Sequence, residues 1–152
     1  MTGYEASFEP AMRDALAEAS MAGADVPVGA VVLDGSGDVI GRGHNRREAR
    51  ADPTAHAEVE AIRSAAETLG TWRLDDCTLV VTLEPCTMCA GALLAGRLRR
   101  LVYGTRDPRA GAAGSVWDVL HDPRLGQPVE VVGGILATDC AALLQAFFAE
   151  RR

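Results

Sequence analysis

A chain of 152 residues, 48% of them hydrophobic, has the length and composition of one folded domain, spanning 1–152; a chain of this size buries about 68–70% of the surface its unfolded form exposes and needs no disulfides to do so. The formal charge of -6 argues against nucleic-acid binding by bulk positive charge, because such domains are strongly basic. With four cysteines, no apolar leader in MTGYEASFEPAMRD and no apolar run near the about 18 residues of a membrane span, the chain reads as a soluble cytoplasmic protein with reduced thiols and no membrane contact.

In chain order, Phe8, Met12 and Leu16 recur at helical spacing among alanines and predict an amphipathic helix over 7–22, closed by Gly23. VGAVVL (28–33), the turn DGSGD and VIGRG (39–43) predict a hairpin. Asp52 as N-cap with Pro53 at the first helical position predicts a helix that Gly70 ends. TLVVTL (78–83) predicts a strand, Pro85 opens a helix running to about Gly96, and RLVYG (100–104) predicts the next strand. The order strand, helix, strand, helix, strand implies right-handed crossovers and a largely parallel sheet covered by helices on both faces, an α/β domain. Between Thr105 and Pro128 the chain is rich in Gly, Pro and Asp, which predicts a functional loop with one short helix near 116–120. A strand over 129–134 and a helix over 138–152 complete the expectation.

Cys86 and Cys89 stand at i and i+3 at the start of a helix, so both sulfurs can reach one ion, and the helix N-terminus favours their thiolates. Taken alone, a Cys-x-x-Cys beside strand-helix-strand units reads equally well as a redox pair. His56 tilts the reading, because successive crossovers of one hand bring its helix start to the same end of the same sheet face. Three protein ligands leave a fourth position for water, which marks a catalytic zinc rather than a structural one, with one Zn2+ per chain. A metal can lower the pKa of water from about 15.7 to about 7. Two thiolates cancel the formal charge of the ion, so such a water is less acidic than one on a three-histidine zinc and needs a carboxylate base. Glu58, two residues beyond His56 and angularly displaced from it, is that candidate. Cys77 and Cys140 read as small core residues, Glu60 as a solvated helix residue, and His44 and His121 lack ligand spacing. The fifteen basic residues are all arginine, and the candidates for gripping phosphates are Arg97, Arg99, Arg100, Arg106 and Arg109; the alternative for these is an ordinary solvated face.

His-x-Glu followed by Pro-Cys-x-x-Cys is the signature of the zinc-dependent nucleobase deaminases. VPVGAVV (26–32), DPTAHAE (52–58), TLEPCTMCAGAL (82–93), VYGTRDPRAGAAGS (102–115), DVLHDP (118–123) and GILATDCAALLQAFF (134–148) extend the match, and the chain resembles the bacterial tRNA adenosine deaminases along nearly its whole length. The resemblance implies a three-layer α/β/α cytidine-deaminase-like fold with a mixed five-stranded sheet. It implies hydrolytic deamination of adenosine to inosine at the wobble position of a tRNA anticodon loop, with release of ammonia. It also implies that Asn45, the only asparagine, hydrogen-bonds the nucleotide, that Asp107 meets a 2'-hydroxyl, that Val28 and Ala57 line the base pocket, and that the backbone near Glu84 meets the base or the water. A homodimer is implied as well. The acidic balance limits the electrostatic footprint, so RNA affinity is expected to come from loop bases buried in pockets plus a few arginines. Against this stand a deaminase of a free nucleobase or nucleoside, a dithiol redox protein and a zinc-stabilised binding module.

Overall fold

A computed structural model describes residues 1–151. Five strands form one sheet: β1 (Gly29–Leu33), β2 (Val39–His44), β3 (Thr78–Leu83), β4 (Arg100–Thr105) and β5 (Glu130–Gly133), in the order β2-β1-β3-β4-β5. β1 runs antiparallel to both neighbours, whereas β3, β4 and β5 are parallel, so the sheet is mixed and four of its strands share one direction. The reversal comes from the hairpin joining β1 to β2. There the Asp34 carboxylate accepts from the Ser36 and Asp38 amides at 2.9 and 3.0 Å, and Gly37 takes the left-handed φ of 88° that the turn requires.

Six helices complete the chain: α1 (Gly3–Ala6), α2 (Glu9–Ala19), α3 (Arg47–Arg50), α4 (Ala57–Leu69), α5 (Thr87–Ala95) and α6 (Ala137–Ala149). Because side chains alternate along a strand, each central strand feeds two cores. Ala30, Val32, Leu79, Val81, Leu101 and Tyr103 face α4 and α5, while Val31, Val80 and Val102 face α2 and α6. Continuous apolar runs such as GAVVL are therefore what a two-faced burial demands, each fully buried Val or Leu contributing roughly 1.5–3 kcal/mol.

Several boundaries differ from expectation. The helix expected over 7–22 is the shorter α2, with Pro10 in its first turn, and it is preceded by a short α1 that the capping box of Thr2 and Glu5 starts. Asp52 does not cap α4. Its carboxylate instead accepts from the amide and hydroxyl of Thr54, both at 2.8 Å, a local turn that delays the helix until Ala57. Likewise α5 begins at Thr87 rather than at Pro85. Residues 116–120 form no helix; Ala113 and Asp118 make an isolated bridge, and the loop is organised by other means described below. Arg152, the last residue of the expected terminal helix, lies outside the described residues.

Candidate active site

α4 and α5 lie on one face of the sheet and start at the same end of it, so their N-termini converge. α4 comes close because the Ala57, Ala61 and Ala65 stripe rests on Gly41 and Gly43 of β2, where a methyl group would fall 2.5–2.9 Å from helix atoms. His56 is the N-cap of α4 and Cys86 the N-cap of α5, one residue earlier in each helix than a first-turn position. Neither makes a side-chain capping bond, so both side chains are available to the site.

The His56 Nδ1 atom is 3.7 Å from Cys86 Sγ and 3.5 Å from Cys89 Sγ, and the two sulfurs are 3.7 Å apart. Among the described residues these three are the one group of metal-ligand type gathered closely enough to share an ion. The bond between the two sulfurs and the His56 ring beside them hold the Cys86 thiol down to about 3, while His56 is raised chiefly by its bond to Cys86. Its bond to Cys86 and its burial push the Cys89 thiol up.

Glu58 stands outside this triangle, one short step along α4, with its carboxyl against the Cys89 thiol. Only 4% of its surface is exposed, and burial pushes its carboxyl up to about 6. A cavity of about 180 Å³ opens beside it, walled by Val26, Val28, Asn45, Arg47, His56, Ala57, Glu58, Leu83, Glu84, Cys86, Asp107 and Ala110. Every site residue expected from the sequence lines this cavity except Cys89, which is completely buried. Two larger hollows, of about 760 and 570 Å³, contain none of the titratable cluster and lack its chemistry.

A profile of the MafB19-like deaminases matches residues 5–152. The chain belongs to that deaminase family. A tRNA-specific adenosine deaminase from Haemophilus influenzae is 46% identical over 146 residues, 95% of this chain and 84% of its own. Among solved structures, one from a study of A-to-I editing by tRNA:A34 deaminases at the wobble position of transfer RNA superposes with a TM-score of 0.85 at 44% identity, covering 89% of this chain and 99% of its own. A guanine deaminase from Nitrosomonas europaea superposes with a TM-score of 0.77 at 26% identity, over 98% of this chain and 86% of its own.

In this deaminase the Asn45 side chain has two local bonds, donating to the Val26 carbonyl at 3.2 Å and accepting from the Arg47 amide at 3.2 Å, so it is oriented before any ligand arrives. Asp25, which the sequence reading passed over, is 3% exposed and accepts from the Glu48 and Ala49 amides at 2.8 and 3.2 Å. It anchors α3 and hence Arg47 at the cavity rim. The candidate arginine patch divides: Arg100 bonds Thr78 at 3.0 Å, pairs with Glu130 and lies over Tyr4 and Phe8, and Arg99 pairs with Asp76. Arg100 serves the fold, whereas Arg97, Arg99, Arg106 and Arg109 are exposed, Arg99 in a surface pair that adds little stability. His44 faces Glu18, His121 bonds Asp118 and Val129, and Cys77 and Cys140 are buried among apolar neighbours, all away from the cluster.

The least expected member is Glu84. Its carboxylate is 2% exposed and accepts from the amides of Asp107, Ala113 and Ser115 at 3.1, 3.0 and 3.1 Å and from the Ser115 hydroxyl. Burial raises this carboxyl, but the Ser115 hydroxyl and the three amides outweigh it and hold the group below the usual glutamate range. No local signal in the sequence links position 84 to positions 23 to 31 residues away.

Proposed function

We propose that this protein is a zinc-dependent hydrolase that deaminates adenosine to inosine at the wobble position of a tRNA anticodon loop. The reading rests on one observation above the others: His56 and Cys86 of a His-Cys-Cys donor triangle and a buried, protonatable Glu58 line a single cavity with Asp107 and Ala110 of the 105–115 loop. Kinship with tRNA-specific adenosine deaminases at 46% identity supports the RNA substrate over a free base.

The donor set fits zinc. A tetrahedral ion bound at about 2.3 Å to sulfur and about 2.05 Å to nitrogen separates its sulfurs by about 3.8 Å and sulfur from nitrogen by about 3.6 Å. The separations of 3.7 Å between sulfurs and of 3.7 and 3.5 Å to nitrogen match without rearrangement. His56 through Nδ1, Cys86 and Cys89 would hold the metal, which when bound supplies a Lewis acid that acidifies water beside Glu58.

Glu58 takes one proton from the attacking water and delivers it to N1 of the purine ring, then takes the second from the hydroxyl left on C6 and delivers it to the amine, which leaves as ammonia as the C6 carbonyl forms. A carboxyl held near 6 suits both transfers at neutral pH. Val28 and Ala57 wall the flat base, Asn45 presents its amide to the nucleotide, and Asp107 faces the ribose, where a 2'-hydroxyl distinguishes RNA from DNA. The cavity of about 180 Å³ is smaller than the about 300–1,000 Å³ of sites for drug-sized ligands, which suits one extruded base.

Residues 1–152 act as a single domain, since both apolar clusters share one sheet. A homodimer is supported by α5, whose TMCAGALLA sequence is apolar around most of its circumference while Gly91 and Ala95 are exposed and Met88 and Leu94 half-buried. The same reading puts the protein in the cytoplasm, where the thiols of the site stay reduced; among the described residues no helix is long and apolar enough to cross a membrane. The deciding experiment incubates the zinc-loaded protein with a tRNA carrying a wobble adenosine and measures inosine. Turnover of free guanine, cytosine or adenosine without inosine in the tRNA would overturn the substrate.

A further inference from the structure

We propose that Glu84 is a positioning residue that sets where the 107–115 loop presents Asp107 and Ala110 to the nucleotide, and so links substrate recognition to the segment that carries Cys86. Two oxygens meet four donors: Oε1 accepts from the Asp107 amide and the Ser115 hydroxyl, Oε2 from the Ala113 and Ser115 amides. A carboxylate offers about four acceptor sites, so this one is saturated by the loop and has none left for substrate. Both ends of the loop are therefore referred to a single side chain. Backbone bonds reinforce the junction, with the Glu84 amide donating to Thr105 at 2.9 Å and the Ala112 amide to the Pro85 carbonyl at 2.8 Å. The loop closes so tightly that a methyl group on Gly111 would lie 2.5 Å from the Glu84 carboxylate.

The consequence for recognition follows from Asp107. Its Oδ1 accepts from the amides of Arg109 and Ala110 at 3.0 and 3.2 Å, which fixes the carboxylate relative to its own backbone. The position of that backbone is in turn fixed by Oε1 of Glu84. Asp107 and Ala110 both wall the cavity, so displacing the Asp107 amide displaces the wall.

Glu84→Gln tests this asymmetrically. A Gln amide has one acceptor oxygen and one NH2 donor. The oxygen will stay with the two amides of Ala113 and Ser115, since the Ser115 hydroxyl on the other side can turn and accept from the NH2. That leaves the Asp107 amide facing a donor. Glu84→Gln should therefore speed hydrogen exchange at the Asp107 amide more than at Ala113 and Ser115, measured by NMR on zinc-loaded protein without RNA. On an anticodon stem-loop it should raise KM about tenfold or more, because a displacement of about 1 Å can cost up to about 10²-fold. Zinc content should be unchanged, kcat should fall less than KM rises, and the preference for a ribose over a deoxyribose at the target adenosine should narrow.

Ser115→Ala, which removes one donor to Oε1 and leaves three amides, should give the same pattern at about threefold. It decides the matter if Glu84→Gln does not fold. Wild-type exchange at Asp107 with wild-type KM in the variants overturns the proposal, as does loss of zinc in Ser115→Ala or a fall in kcat alone, which would assign Glu84 to the chemistry instead. The role in recognition rests on the RNA-deaminase reading, but the exchange measurement does not: a wild-type protein that makes no inosine refutes that reading and leaves the clamp to be judged by exchange.

Discussion

The close approach of α4 to β2 offers a test of how packing sets catalytic geometry. At Gly43 an added methyl would lie 2.6 Å from the Ala57 carbonyl oxygen, 2.6 Å from the Ala61 nitrogen and 2.7 Å from Glu60 Cβ. At Gly41 it would lie 2.5 Å from the Ala61 oxygen and 2.7 Å from the Ala65 nitrogen. Neither glycine has a positive φ, so alanine suits the backbone at both and the substitutions probe contact alone. The obstructing atoms belong to helix backbone and cannot swing aside; restoring an ordinary contact of about 3.4 Å requires α4 to rise by about 0.8 Å. Overpacking of this kind costs about 1–3 kcal/mol, or about 2–12 °C in melting temperature for a domain of this size. At Gly43 the lift falls under Ala57, between His56 and Glu58, whereas at Gly41 it falls one turn further along. Gly43→Ala should therefore lose about 10²-fold in kcat/KM on an anticodon stem-loop beyond any loss of folded protein, and Gly41→Ala about tenfold or less at a similar melting temperature. Calorimetry, zinc per chain and steady-state kinetics on both variants make the comparison. Equal kinetic losses in the two, or a wild-type melting temperature in either, would refute the argument that α4 is seated by these glycines.

Glu58→Ala is expected to lower turnover by about 10²–10⁴ or more while leaving about one zinc per chain by elemental analysis, and loss of the metal would make Glu58 a ligand rather than a base. The Glu130 carboxyl, hydrogen-bonded by the Tyr4 hydroxyl and paired with Arg100, is held below the usual glutamate range. A depressed folded-state value stabilises above the ordinary pKa of about 4.3 and loses that stability as pH falls through the lower one. The melting-temperature gap between wild type and Glu130→Gln should thus be present at neutral pH and close in acid. Finally, the charge of -6 predicts few phosphate contacts, so the slope of log affinity against log salt for an anticodon stem-loop should be shallow. A slope of about -6, equivalent to some eight contacts on a single strand, would show a basic footprint that the fold does not suggest.

Read from the sequence, the chemistry was local and therefore legible. Cys86 and Cys89 are bound together by helical spacing, His56 and Glu58 by two residues, and strand-helix alternation was enough to bring the pairs to one sheet end. Boundaries failed where a side chain found a better partner than the one its type suggests: Asp52 bonds Thr54 instead of capping α4, and α5 starts two residues past Pro85. Small shifts of this kind moved His56 and Cys86 onto N-caps without separating them. The loop was different. Its richness in Gly, Pro and Asp marked it as functional, but the short helix expected there is absent, and the order it has comes from Glu84 on another segment. By itself, then, the sequence determined that His56, Cys86 and Cys89 gather with Glu58 nearby, and that strands and helices alternate along the chain, because those depend on residue type and short spacing. The tertiary structure alone decided that Arg100 packs into the fold, how closely α4 sits on Gly41 and Gly43, and what holds the 107–115 loop, because a carboxylate is satisfied by whichever donors the fold brings within about 3 Å of it, however distant in the chain.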